Sequence, residues 1–189
     1  SIAISELNNV YSGIHKIVYT VRSKEGEFGI NTPAYLSELD LFANWLRNQE
    51  KVGFVDTHTT TLKKINQDLH GGDSSYSTIP SDKQSVAQYL LLYEMSLPVG
   101  LGLDNIQNSD QSASKLTVVL HKMDSQELID FDHNVVRWLN NNSAFLSVDE
   151  GTGMDLLFAY LSSNNIKDII AGSLLGLILI AVILCYALK

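Results

Sequence analysis

Cysteine is nearly missing from this sequence: its 189 residues hold one, Cys185. The residues before it therefore carry no disulfide and no thiol ligand for a metal. A domain of this length buries enough apolar surface to stand without cross-links, so the scarcity of cysteine does not choose between a reducing and an oxidising compartment. Clustered positive charge is missing as well. Thirteen Lys and Arg face 21 Asp and Glu, for a net charge of −8, and the basic residues are scattered. That pattern excludes the electrostatic footprint of a nucleic-acid binder or of a protein held on anionic headgroups. Absent too are the Gly-x-Ser-x-Gly elbow, the phosphate loop and the His-Glu-x-x-His zinc motif. The expectation is a chain that is not an enzyme and uses no cofactor.

What is present in excess is apolar length at one end. Residues 169–188 read IIAGSLLGLILIAVILCYAL, with no charge, no proline and no amide. At about 1.5 Å of rise per residue this run forms a helix of roughly 30 Å, the thickness of a bilayer's hydrocarbon core. It is apolar on every face, whereas the core helix of a soluble protein keeps a polar stripe. A transmembrane helix is the reading. Gly172 and Gly176 stand four apart, the small-xxx-small spacing that lets another helix approach closely, although two small residues in a leucine-rich span also arise without that purpose. Lys167, Asp168 and Lys189 flank the run, too small a charge difference to orient it. The chain starts at Ser1 without methionine and stops one residue past the run, which reads as a piece of a longer protein. Two parts are expected: a head domain over residues 1–165 and a membrane helix over residues 166–189.

Within the head, residues 16–22 (KIVYTVR) put Ile17, Tyr19 and Val21 on one face at period two, a strand signal. Thr32 caps a helix with Pro33 in its first position, and Leu36, Leu39, Phe42, Ala43 and Leu46 make its apolar stripe. Residues 52–56 form a second strand. A short helix begins at Thr59 or Thr60 with Leu62, Ile65 and Leu69 inward and stops at Gly71-Gly72. Ser81 opens a third helix carrying Val86, Tyr89, Leu90, Tyr93 and Leu97, ended by Pro98. Residues 99–114 read as a long loop and residues 115–122 as a third strand. Asp124 and Glu127 form a capping-box pair ahead of a helix with Leu128, Phe131, Val135, Trp138 and Leu139 inward. Residues 144–148 are a short fourth strand. Gly151-Thr152-Gly153 then turns the chain into an amphipathic helix over residues 154–162, whose apolar side is Met154, Leu157, Phe158 and Leu161. Two βα units separated by extra helices imply an α+β head: a four-stranded antiparallel sheet backed by helices, the split βαβ or ferredoxin-like arrangement with inserted helices, followed by one C-terminal transmembrane helix.

Few residues suggest chemistry. Asp56 and His58 lie two apart on the expected strand and could offer two metal ligands, but no third stands near in sequence, and a site needs three or four. His70-Gly71-Gly72-Asp73 reads as a helix C-terminus. Asp130, Asp132 and His133 are expected on the solvated side of their helix, and Glu94 in a solvated position. The sequon Asn141-Asn142-Ser143 bears only on a eukaryotic source. The apolar and aromatic excess on Tyr89, Leu91, Leu92, Tyr93 and Met95 has two readings. One is packing against the sheet and neighbouring domains. The other is a wall of an apolar channel, with Tyr89, Leu92, Tyr93 and Met95 touching a lipid-like substrate.

The order of several short motifs resembles a known family. Gln88-Tyr89-Leu90-Leu91-Leu92-Tyr93-Glu94 is preceded by Leu69-His70-Gly71-Gly72-Asp73 and Ile79-Pro80 and followed by the strand from Leu116. With Tyr35-Leu36, Leu62-Lys63-Lys64-Ile65-Asn66 and Gly151-Thr152-Gly153, this pattern is similar to the second extracytoplasmic domain of bacterial resistance-nodulation-division (RND) exporters. The branch it resembles most is the MMPL-like group of lipid and hydrophobe exporters, from about residue 14 to the end. The resemblance implies a porter domain of βαβ units, followed at once by the first helix of a membrane bundle in the bacterial cytoplasmic (inner) membrane, with the domain on the extracytoplasmic side. It implies as partners the remaining transmembrane helices and domains of a parent transporter and a hydrophobic or amphiphilic substrate. Members of the family relay protons through ionisable residues in their spans, and residues 169–188 contain none, so this part would handle substrate without the motor. The rival expectation is a stand-alone, single-span protein whose head binds or senses a partner at the membrane.

Overall fold

The structure is a computed structural model that describes residues 14–98, 103 and 106–188. Its centre is the strand β1, His15–Ser23, where period-two alternation sends Ile17, Tyr19 and Val21 into the core with no exposed surface. β3, Ala113–Leu120, lies antiparallel on one side of β1 with His15 opposite Leu120 and Arg22 opposite Ala113. On the other side is the short β4, Leu146–Val148, also antiparallel. β2, Val52–Asp56, pairs antiparallel with the far edge of β3 and carries a bulge between Val52 and Phe54. The sheet order is therefore β2-β3-β1-β4. β1 and β2 run parallel with β3 inserted between them, and β3 and β4 run parallel with β1 between them.

Helices cover one face of this sheet. The first, α1, is Pro33–Arg47. Its Thr32 cap accepts a hydrogen bond from the Tyr35 amide and its proline stands at the first position, where a missing N–H costs nothing. Leu36, Leu39, Phe42, Ala43 and Leu46 are fully buried as their spacing demands. α4, Ser125–Asn142, begins with the Asp124/Glu127 capping box. It meets α1 through a stack of aromatic rings, Trp45 on Trp138 at 4.6 Å between centroids and Phe42 on Trp138 at 5.6 Å. The opposite sheet face carries exposed Lys16, Thr20, Arg22, Phe54 and Lys115, so the sheet is apolar on one side only.

Between β2 and β3 are two further helices, α2, His58–Leu69, and α3, Lys83–Ser96. Both start differently from expectation. Thr57 caps α2 by accepting from the Thr60 amide, and Asp82, one residue after Ser81, caps α3 by accepting from Ser85. A side-chain oxygen at those positions reaches the orphan amide two or three residues on, and that fixes the start. Leu69, expected inward, is half exposed; it is the last residue of α2, just before Gly71 and Gly72 turn the chain with positive φ. The loop expected over residues 99–114 lies partly outside the described residues.

The last helix, α5, runs without a break from Met154 to Ala187. Leu156 and Ala159 are the residues it buries against the domain. The apolar side read from the sequence, Met154, Leu157, Phe158 and Leu161, is half to two-thirds exposed. On a 100° wheel these four sit opposite Leu156 and Ala159, so the helix docks through its narrower face. Among the described residues α5 is the one helix long and apolar enough to cross a membrane, and none of its apolar window is buried by the rest of the chain.

Candidate functional site

α2 and α3 are fastened to each other by one buried asparagine. Asn66 donates through Nδ2 to the Thr78 carbonyl (3.0 Å), and its Oδ1 accepts from the Tyr89 hydroxyl (3.1 Å). Away from that fastening the facing side chains Thr60, Thr61 and Ser96 are small, and the two helices leave an open groove of about 530 Å³. Ile65 and Leu69 of α2 and Leu92 and Tyr93 of α3 give it apolar walls. Lys64 and Asp68, paired at 2.5 Å, also line it. A cleft with apolar walls and a few polar groups suits a hydrophobic or amphiphilic guest.

The four candidates from the sequence do not act together. Leu92 and Tyr93 line the groove. Tyr89 is half-buried and committed to Asn66. Met95 is 76% exposed and lies outside the groove lining, on the outer side of α3 that it shares with Leu91 four residues earlier. Gly172 and Gly176 lie on the exposed apolar stretch of α5, with nothing within 4 Å of where a Cβ would stand.

Two expectations about charged residues are corrected. His58 is not on a strand beside Asp56; it opens α2 and is completely buried. Its Nε2 lies 3.3 Å from Asn31 Oδ1 and its Nδ1 has no hydrogen-bond partner. Burial pushes its pKa down to about 4, so it is a neutral core imidazole at pH 7. Among the described residues no group of three or more His, Cys, Asp or Glu is placed to hold a metal ion. Asp132 is not on a solvated face. It is fully buried, accepting from the Gly151 amide at 2.8 Å through Oδ1 and from the Tyr160 hydroxyl at 3.1 Å through Oδ2. Its neighbours Asp130 and His133 are exposed as expected, and so is Glu94.

Around Asp132 lies a polar cluster that the sequence reading missed. The Tyr19 hydroxyl is buried with no hydrogen-bond partner, and burial together with the Asp132 carboxylate holds that phenol well above its ordinary pKa. His133 Nε2 stands 3.2 Å from the Tyr160 hydroxyl. Asp132 thus ties α4 to the turn before α5 and to the second turn of α5 itself. That turn passes very close to β1: Thr152 exchanges two 2.8 Å backbone hydrogen bonds with Val18. A Cβ at Gly151 would come within 2.8 Å of Asp132 Oδ1, and one at Gly153 within 2.5 Å of the Lys16 carbonyl oxygen. A signal for this was present, since Asp132 falls four residues after Leu128 and three before Val135, inside the apolar stripe.

No family model matches the chain, and no curated protein or solved structure matches it.

Proposed function

We propose that this chain is a porter-type part of an RND-superfamily, MMPL-like exporter: an extracytoplasmic α+β domain fused to a span of the bacterial inner membrane, handling a hydrophobic or amphiphilic substrate. The observation that carries this reading is the sheet order β2-β3-β1-β4, two βα units each with a foreign strand between its parallel strands. This order supports reading the head as a split βαβ, ferredoxin-like arrangement with α2 and α3 inserted, and α5 joins it directly to an apolar stretch long enough to span a membrane. The groove between α2 and α3 is the substrate-contacting element of the proposal, with Leu92 and Tyr93 as its wall. Transport would proceed by rocking of such domains, driven by protons moving through other spans of the parent transporter. The role is not enzymatic. A second reading, a single-span protein whose head binds or senses a ligand, draws on the same groove and on the exposed Leu91 and Met95 beside it.

Sequencing the genomic DNA on both sides of this chain separates the two. An open frame that continues into apolar spans containing Asp or Glu supports the exporter, and start and stop codons close to both ends overturn it. In cells carrying the intact gene, Leu92→Arg with Tyr93→Arg is expected to raise accumulation of a hydrophobic dye such as Nile red to the level of a deletion while the protein is still made. Wild-type efflux in that variant would remove the groove from the transport path.

A further inference from the structure

The outer surface of α2 separates two grooves. On its α3 side lies the apolar groove described above, and on its α1 side is another, of about 290 Å³. Thr60 and Lys64 line both. On a 100° wheel these two make a single ridge, with Lys63 turned toward α1 and Ile65 toward α3. Thr60 is short, so at that turn the ridge between the grooves is low.

The two grooves differ in character. Arg47 of α1 and Lys63 and Lys64 of α2 bring three cations to the α1 side, in a chain whose net charge is −8. Two carboxylates stand near them and both are engaged: Asp40 holds Lys63 at 2.6 Å and Asp68 holds Lys64 at 2.5 Å. Among the described residues Arg47 has no carboxylate partner. Its Nη1 donates to Asn44 Oδ1 at 2.9 Å, and its Nη2 donates to the Val55 carbonyl and to Thr60 Oγ1, each at 3.2 Å. All three acceptors are neutral, so the guanidinium is held in place while its charge stays uncompensated. It keeps two of its five N–H groups free, and each ammonium keeps two of three. The carboxylates are satisfied and the spare capacity is all on cationic donors. Such a pocket, sharing a low rim with an apolar trough, fits an anionic oxygen group carried on an apolar tail.

We propose that the guest of the α2/α3 groove is an anionic amphiphile: its carboxylate, sulfate or phosphate head is held by Arg47, Lys63 and Lys64, and its tail crosses α2 at Thr60 to lie against Ile65, Leu92 and Tyr93. The inference rests on the reading of that groove as the site of a hydrophobic or amphiphilic guest, and adds the sign of the head's charge. It does not depend on whether the guest is exported or sensed.

The test uses the full chain in phosphatidylcholine nanodiscs. The probes are dodecanesulfonate, dodecyltrimethylammonium and dodecanol, each with a photoactivatable diazirine near the end of its chain. Labelling of the peptide containing Leu92 and Tyr93 is divided by labelling of residues 169–188, which corrects for unequal uptake into the bilayer. The sulfonate ratio is expected to exceed the other two about tenfold, the ratio of one charge-assisted hydrogen-bonded contact. Arg47→Gln with Lys64→Gln should bring the sulfonate down to dodecanol and leave dodecanol unchanged. Lys64→Gln alone, which touches no buried group, should lower the sulfonate about threefold, half of the same free energy. Leu92→Ser with Tyr93→Ser should lower all three probes. Equal ratios for the three heads, with the groove still labelled, overturn this inference and leave the groove as an apolar site. A sulfonate preference that survives both glutamine variants puts the head elsewhere and overturns it too. Labelling that the serine variant does not lower for any probe overturns the groove and this inference together.

Discussion

His58 makes the stability of the head domain depend on pH, starting above the range in which ordinary surface carboxylates titrate. Its folded pKa is near 4 against an ordinary value of 6.5, so between those values the unfolded chain takes up a proton that the folded one refuses. Stability is whole above about pH 6.5 and falls as pH drops toward 4, by up to about 3 kcal/mol. The thermal midpoint should therefore decline between pH 7 and pH 5, and His58→Gln should flatten that decline; an unchanged slope in the variant would assign it to another group. Asp132 yields a second measurement. Asp132→Ala leaves the Gly151 amide and the Tyr160 hydroxyl without an acceptor and is expected to cost about 2–4 kcal/mol in urea unfolding. Asp132→Asn keeps an acceptor for the amide and should cost clearly less. These two residues also mark what the sequence hid. Asp132 was legible by its place in the apolar stripe, yet a carboxylate is so rarely buried that its two charged neighbours pulled the reading outward. His58 gave no signal, because burial of a lone histidine is decided by what packs over it from distant segments.

At the scale of elements, period and caps carried most of the fold. β1, β2, α1 and α4 lie where alternation, the Thr32-Pro33 start and the Asp124/Glu127 box put them. What local pattern could not supply was partnership, since strand order and the pairing of α2 with α3 depend on contacts far apart in sequence. The groove was half legible for the same reason: Leu92 and Tyr93 were visible as surplus apolar surface, whereas Ile65 and Leu69 read as core. The Phe42, Trp45 and Trp138 rings are a clear case of pairing across elements. A double-mutant cycle with Trp45→Ala and Trp138→Ala should return a coupling of about 1 kcal/mol; a coupling of zero would mean that each ring contributes through its burial alone. Between head and apolar run the four residues Ser162, Ser163, Asn164 and Asn165 contain no proline or glycine, so nothing stops the helix there and α5 continues through them.

Taken whole, the molecule divides by what α5 touches. Its apolar window buries nothing against the domain, whereas Leu156 and Ala159 near its start are almost fully buried. A chain ending at residue 168 should therefore fold with the thermal midpoint of the full chain's head, and one ending at residue 153 should be strongly destabilised or unfolded. If both were equally stable, the docking of α5 would contribute nothing to the head.

The unbroken course of α5 from Met154 to Ala187 also sets how movement passes between the two parts. A helix of 34 residues is a rod of about 50 Å. Gripped at its upper end by Leu156, Ala159 and the Tyr160–Asp132 hydrogen bond, it has no hinge at which a turn of the domain could be absorbed. A rotation of the head by ten degrees would sweep the far tip by roughly 9 Å for a rod of that length, close to the distance between the axes of two packed helices. The head and the apolar half of α5 are thus geared as one lever, and any ligand that reorients the domain displaces the far end of that helix by a helix width.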